Sequence, residues 1–371
     1  MKNIGIKLSL FLNYFVFAFL LNSVGAVILQ VQRAYSIEKD AASILEGFKD
    51  IPIAIAAFVL ASFLPRIGLK KAMLLGLLVV ALFCFLTPFS NDFWFFKILF
   101  AAIGVSFALI KVSVFATIGL ITKNEKEHGS FMGILEAVFM GGILLGNVLF
   151  SFFIDDANPK SDYWLNIYWL MGAVSLLAFF VLLFTRLNES EAKIEARSLK
   201  EDFKEMFVIA FKPLVLIFVA SIFLYVLVEQ SFSTWFPTFY EGILKTPASM
   251  AIQAGAILAG VTMIGRFMAG IILSRIKWIY VLSTCLIIVA IIVLTALPLA
   301  NSVTIDPTIS WINAPLVVYL MPLMGLFLAP IYQFNHTFLP SKAHAQFDGG
   351  PNCRFLGIGG NHRVYHYWKH F

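Results

Sequence analysis

Ten apolar runs constrain this chain more than any other feature of its sequence. They lie at about residues 8–32, 51–64, 72–90, 92–121, 129–154, 164–185, 213–238, 250–274, 279–300 and 314–339. Most approach or exceed the ~20 residues that carry a helix across a bilayer. The chain is therefore expected to be an all-α polytopic membrane protein with ten visible spans. A stretch from Arg186 to Lys212, with six basic and six acidic residues, separates six runs from four. Its mixed charge suits a solvated connector. The expected layout is a six-helix half over residues 1–187, a connector over 188–212, a second half over 213–340 and a polar tail over 341–371.

A hydrophobic share of 60%, a charged share of 13% and a mean hydropathy of +0.89 agree with that class. The 39 phenylalanines suit lipid and would be excessive on a soluble surface. The net charge of +6 calls for no nucleic acid. It follows from the excess of Lys and Arg that membrane proteins keep on the cytoplasmic side. Arg66, Lys70, Lys71, Arg275 and Lys277 occupy one set of loops, and Asp92, Asp155, Asp156, Asp162 and Asp306 occupy the other. That alternation predicts a cytoplasmic N-terminus and connector in a cell (inner) membrane. The first run outlasts the h-region of a signal peptide, despite the weak cleavage site Ser23-Val24-Gly25-Ala26. Cys84, Cys285 and Cys353 have no metal spacing and imply no disulfide framework.

Within the runs, polar residues mark candidate sites. Lys111 lies about 16 Å from its span's C-terminal end at 1.5 Å per residue, too deep to snorkel easily. A lysine at that depth costs on the order of 3 kcal/mol, so it should face protein or a wet cavity. Lys97, Gly104 and Lys111 recur every seven residues on one face. Glu136, about 12 Å into span five, has a similar depth. The two are expected to pair, either as a competed substrate site or as a permanent structural bridge. Glu229 lies about 24 Å along span seven from Lys212 and is the first candidate for carrying a proton. A hydrated carboxylate at the outer mouth is the alternative. Asn22, Ala26 and Gln30 form a polar-to-small stripe in span one. Tyr225, Trp235, Tyr240, Tyr319 and Tyr332 offer flat faces to a sugar ring or serve as packing and belt residues. Gly133, Ala137 and Gly141, and Gly142 with Gly146, permit close helix approach. Pro315, Pro322 and Pro330 should bend span ten.

Six helices, a connector and further helices resemble the layout of the major facilitator superfamily. Between spans two and three that family carries Gly-x-x-x-Asp-Arg-x-Gly-x-basic-basic. This chain reads Ala61-x-x-x-Pro65-Arg66-Ile67-Gly68-Leu69-Lys70-Lys71, and in the second half Gly270-x-x-x-Ser274-Arg275-Ile276-Lys277. Both copies keep the arginine and lose the acid. Gly265-Arg266 precedes Gly270, as in sugar permeases of the superfamily. Gln30-Val31-Gln32-Arg33-Ala34-Tyr35, and Glu229 followed by Trp235, Phe236 and Tyr240, resemble the fucose permease-like sugar–proton symporters. That resemblance implies a twelve-helix bundle of two pseudo-symmetric halves, with Arg66, Gly68, Lys70, Lys71, Gly265, Arg266, Gly270 and Arg275 in gating loops. It departs where the group's proton-carrying acids sit, since span one reads Val24-Gly25-Ala26 and span four Ile110-Lys111.

The tail changes character. Four of the six histidines lie there (His344, His362, His366 and His370), with no spanning run and no zinc-finger spacing. Reading the codons of Lys342 to Phe371 one base later allows a basic loop followed by an apolar, glycine-punctuated helix. A frameshift after about Ser341, displacing spans eleven and twelve, is the expectation.

The functional expectation is a secondary active transporter, a permease-type symporter for a sugar-like solute or organic anion. Its partners would be the solute, a proton and the lipid bilayer, with no nucleic acid, cofactor or metal, and the chain a monomer. Lys111, Glu136 and Glu229, with Asn22, Gln30, Tyr225, Trp235 and Tyr319, would line the pathway. Outside the tail only His128 and His336 occur, near span ends, so an intramembrane enzyme is not expected. A non-transporting, truncated membrane protein is the alternative.

Overall fold

The computed structural model describes residues 4–90, 92–122, 125–189, 211, 213–273, 276–301 and 309–333. Among them the regular structure is helical throughout. The first half holds α1 (Ile4–Asn22), α2 (Val24–Tyr35), α3 (Lys39–Ile67), α4 (Leu69–Leu86), α5 (Phe93–Ile121), α6 (Glu125–Ser151) and α7 (Ile167–Phe184). The second holds α8 (Pro213–Gly242), α9 (Ala248–Leu273), α10 (Trp278–Asn301) and α11 (Leu316–Gln333).

Local chemistry sets the breaks. α1 and α2 form one span, Ile4–Tyr35, interrupted at Ser23. The Ser23 hydroxyl donates to the Leu20 carbonyl at 2.8 Å, a back-bond of the kind that bends helices. Gly68, at φ 94°, joins α3 directly to α4 through a backbone conformation that strains other residues. Asp92 caps α5 by accepting from the Trp94 N–H at 3.0 Å.

The expected ten spans need correction. Among the described residues, eight helices are long and apolar enough to cross a membrane. α3 is long, but its first turns carry Lys39, Asp40, Glu46, Lys49 and Asp50, so only its later part is apolar. The apolar stretch of α11, Leu316–Ile331, falls among the shorter helices. Pro322 and Pro330 do lie inside it, as read from the sequence. Most of the connector and the whole tail lie outside the described residues.

Packing uses half of the small-residue pattern in α6. A Cβ at Gly142 would lie 2.8 Å from the Ala18 Cβ, and one at Gly146 would lie 2.1 Å from the Phe19 ring. These glycines therefore let α1 and α6 approach closely. Gly133 and Gly141 meet no such neighbour within 4 Å. Trp164 stacks on Phe96 at 5.5 Å and Phe150 at 6.2 Å, closing one end of the first half. Leu286, Ile287, Ile291 and Leu294 of α10 are exposed, an apolar surface suited to lipid.

The halves meet mainly along an antiparallel pair, α6 and α9. Ser151 lies opposite Gln253, Asn147 beside Gly255, Leu144 beside Gly260 and Glu136 opposite Arg266. α2 also crosses α8, where a Cβ at Gly25 would sit 2.6 Å from the Thr234 carbonyl oxygen. This seam brings charged mid-helix residues of the two halves together.

Candidate functional site

Arg266 projects from α9 into the seam. Its Nη1 lies 3.3 Å from Glu136 Oε2 of α6, and its Nη2 lies 3.1 Å from Glu229 Oε1 of α8. One guanidinium thus holds an acid from each half, using the fork that makes arginine suited to two carboxylates. The arginine is largely buried and both acids are half-buried. Such an arrangement stands or falls together, because removing one member strands the charge of another.

Lys111 stands beside this triad. Phe107 and Phe115, one turn either side, pack on Phe17 and Tyr14 of α1 and on Phe139 of α6. The lysine shares that face and not the one bearing exposed Trp94, Ile98 and Val105. Lys111 is nevertheless exposed. The ammonium lies 5.6 Å from the Phe107 ring centroid and 6.0 Å from that of Phe115. The charge of Glu136 reaches it, but among the described residues Lys111 forms no direct ion pair. The expected Lys111–Glu136 pair is therefore relayed: Arg266 takes the acid, and the lysine keeps an open position.

The seven-residue stripe of α5 divides into three environments. Lys97 sits at 3.9 Å over Trp94 and 4.8 Å over Phe93, a cation–π cage near the helix start. Gly104 packs on α3, where a Cβ would meet the Lys49 carbonyl oxygen at 2.4 Å. Only Lys111 joins the charged group.

The other sequence candidates disperse. Asn22 donates back to the Ala18 carbonyl at 2.8 Å. Gln30 is buried, and its amide nitrogen has no partner among the described residues. Tyr225 reaches the Leu328 carbonyl at 3.5 Å and Tyr240 the Val318 carbonyl at 2.6 Å, so both tie α8 to α11. Trp235 packs at the edge of the core, and Tyr319 bonds to the Trp311 carbonyl. The side chain of Tyr332 lies outside the description.

The gating residues also separate. Gly68 turns the chain, and the N–H groups of Leu69 and Lys70 donate to Glu189 at 3.2 and 2.7 Å. A carboxylate there satisfies the open start of α4 and its dipole. The acid missing from the motif is thus supplied from beyond α7. Lys70 Nζ donates to the carbonyls of Leu183 and Thr185 at 2.9 and 2.7 Å, while Lys71 is exposed. Gly265 serves packing, since a Cβ there would lie 2.6 Å from the Leu326 carbonyl oxygen of α11. Gly270 continues α9; the side chain of Arg66 and the whole of Arg275 lie outside the description.

Polar contacts that the sequence did not suggest tie the halves beyond the bridge. Thr234 donates to Glu46 at 2.8 Å. Asp156 accepts from both the N–H and the hydroxyl of Ser249, at the start of α9, and lies 3.9 Å from Arg33. Ser249 just before the apolar run from residue 250 is the usual signature of a helix start, though not of its partner.

A family model described as the Major Facilitator Superfamily matches residues 10–347. Solved structures share the architecture at low sequence identity. A D-xylose–proton symporter gives a TM-score of 0.59 at 13% identity, covering 96% of this chain and 95% of that one. The transporter FucP, in an outward conformation, gives 0.61 at 15%, covering 90% and 85%. A bacterial homolog of the human lysosomal transporter Spinster, inward-facing and unoccupied, gives 0.65 at 15%, covering 90% and 74%. Among curated proteins, none matches in sequence. With a family match over most of its length and transporters, not enzymes, as its structural neighbours, this multi-pass membrane protein belongs to the major facilitator superfamily.

Proposed function

We propose that the chain is a secondary active transporter that moves a small polar solute, sugar-like or an organic anion, together with a proton. The observation that carries this reading is the bridge from Glu136 of the first half through Arg266 to Glu229 of the second. Alternating access requires the two halves to rock about a site between them. A charged contact across that seam can be exchanged for contacts with solute or proton. Lys111 supplies a cation to the solute, and the buried amide of Gln30 offers a donor. Glu229 is the first candidate for the proton, 3.1 Å from the Arg266 guanidinium. One structural neighbour, a D-xylose–proton symporter, lends support to a sugar-like solute and to coupling. The loop charges support a cytoplasmic N-terminus in the inner membrane, and the protein acts as a monomer.

Uptake by the purified protein in liposomes tests the reading, with labelled gluconate, glucuronate, L-fucose and D-xylose as probes. Uptake of at least one probe, accelerated by an inward proton gradient in the native protein and indifferent to it in Glu229→Gln, is expected. Normal gradient response in Glu229→Gln would remove that residue from the coupling. No uptake of any probe would contradict the transporter reading.

A further inference from the structure

Counting charge at the seam narrows the class of solute. Counted in their ordinary ionised forms, Lys111 and Arg266 bring two positive charges and Glu136 and Glu229 two negative ones, so the four side chains sum to zero. Charged groups on the surrounding elements are engaged elsewhere or lie far along their helices: buried Lys49 of α3 lies 3.4 Å from Asp50, Lys97 of α5 sits over Trp94, and Glu241 is at the end of α8, about 18 Å along it from Glu229. On α1 the only charged residue is Lys7, paired with Glu127 of α6 at 3.2 Å. His128 of α6 is engaged with Thr122 at 3.3 Å. Arg33 of α2 turns toward Asp156, and Glu46 of α3 accepts from Thr234. α9 contributes Arg266 alone, and α11 contributes no charged side chain.

Within the neutral set the two cations are not equivalent. Arg266 is occupied by both acids, whereas Lys111 faces rings and, among the described residues, has no ion pair. An incoming anion therefore finds its counter-charge at Lys111 without evicting either glutamate. Its arrival leaves the partly buried seam with one excess negative charge, an unfavourable state. One proton taken from the aqueous phase onto Glu136 or Glu229 removes that excess. A protonated Glu136 no longer ion-pairs with Arg266, so the same event loosens the contact between the halves. A neutral sugar would do neither: with its proton aboard the site would carry a positive charge.

We propose, resting on the transporter reading above, that the solute is a hydroxylated monocarboxylate of the sugar-acid class. Its carboxylate pairs with Lys111, its hydroxyls meet the Arg266-bound carboxylates, and one proton accompanies each anion. Translocation is then electroneutral: driven by a proton gradient and indifferent to membrane potential.

The test uses the full chain in liposomes containing a trapped pH dye, with and without a valinomycin-set potential. Gluconate and glucuronate are the anionic probes, and L-fucose and D-xylose the neutral ones. The proposal expects the sugar acids to acidify the lumen at a rate unchanged by the potential. It expects Lys111→Ala to lower that rate about tenfold or more, the loss of one charge-assisted contact, and Lys111→Arg to recover part of it. Unchanged thermal unfolding of both variants confirms that they fold; if Lys111→Ala unfolds, Lys111→Arg against Lys111→Gln carries the comparison. Labelled sugar acid that enters without acidification, a rate that follows the potential, or uptake confined to the neutral sugars would overturn the electroneutral anion while leaving a transporter. Uptake of none of the four would overturn both readings.

Discussion

A guanidinium shared by acids from both halves makes Arg266 the residue whose loss should be felt most widely. Arg266→Met leaves Glu136 and Glu229 facing each other with no cation between them. The expected cost is about 2 kcal/mol, below the 3–5 kcal/mol of a fully buried pair because both acids keep some water. Thermal unfolding in detergent reads it, and an unchanged midpoint would mean that the bridge contributes nothing to the fold. Glu136→Gln should cost less, since Arg266 retains Glu229 and an amide still accepts a hydrogen bond. The depths of Lys111 and Glu136 were legible in the sequence, because counting residues from a helix end fixes height at 1.5 Å each. Their partners were not. Height says nothing about which way a side chain turns, so Lys111 was matched to Glu136 while Arg266, assigned to a gating loop by motif, was the one that met it.

At the scale of the helix, glycines of one span divide into those that touch and those that do not. Gly146→Leu in α6 should disrupt the contact with Phe19 of α1 and destabilise by about 1–3 kcal/mol, the usual range for overpacking. Gly133→Ala, with open space around it, should be neutral or slightly stabilising, as helix propensity favours alanine. Equal effects at both positions would contradict this packing of α1 on α6. The sequence offered the two stripes without ranking them, because spacing defines a face and only the neighbour decides whether that face is used. The span count failed for a related reason. α3 begins with about three charged turns that bond toward the second half through Glu46, a tertiary role that hydropathy registers only as a break.

For the whole molecule, the contacts beyond the bridge form a closure at one end. Asp156 with Ser249 lies where α2 ends and α9 begins, and Glu46 with Thr234 and the close approach of Gly25 to Thr234 lie between that end and the bridge. Asp156→Ala combined with Glu46→Gln should weight the population toward opening at that end. A cysteine placed at Gln30, in a chain whose Cys84, Cys285 and Cys353 are replaced, should then react several-fold faster with a membrane-impermeant maleimide; two lost polar contacts of ~1 kcal/mol each suffice for that. An unchanged labelling rate would show that these contacts do not hold the end shut. The superfamily was readable from run spacing and loop motifs, which survive at low identity because they follow from membrane insertion and tight turns. The proposed sugar-acid class goes beyond what motif offers, since it is argued from side chains of four helices meeting at one height.

Exchanging the charges across the seam tests the central claim most directly, by measuring uptake of the solute carried by the native protein in liposomes. Glu136→Arg alone sets two cations together and Arg266→Glu alone gathers three acids, so each should abolish transport. The double variant restores opposite charges between the halves and should recover a measurable fraction of the native rate. A double variant no better than either single change, or single variants that transport normally, would contradict a carrier whose halves are joined through Arg266.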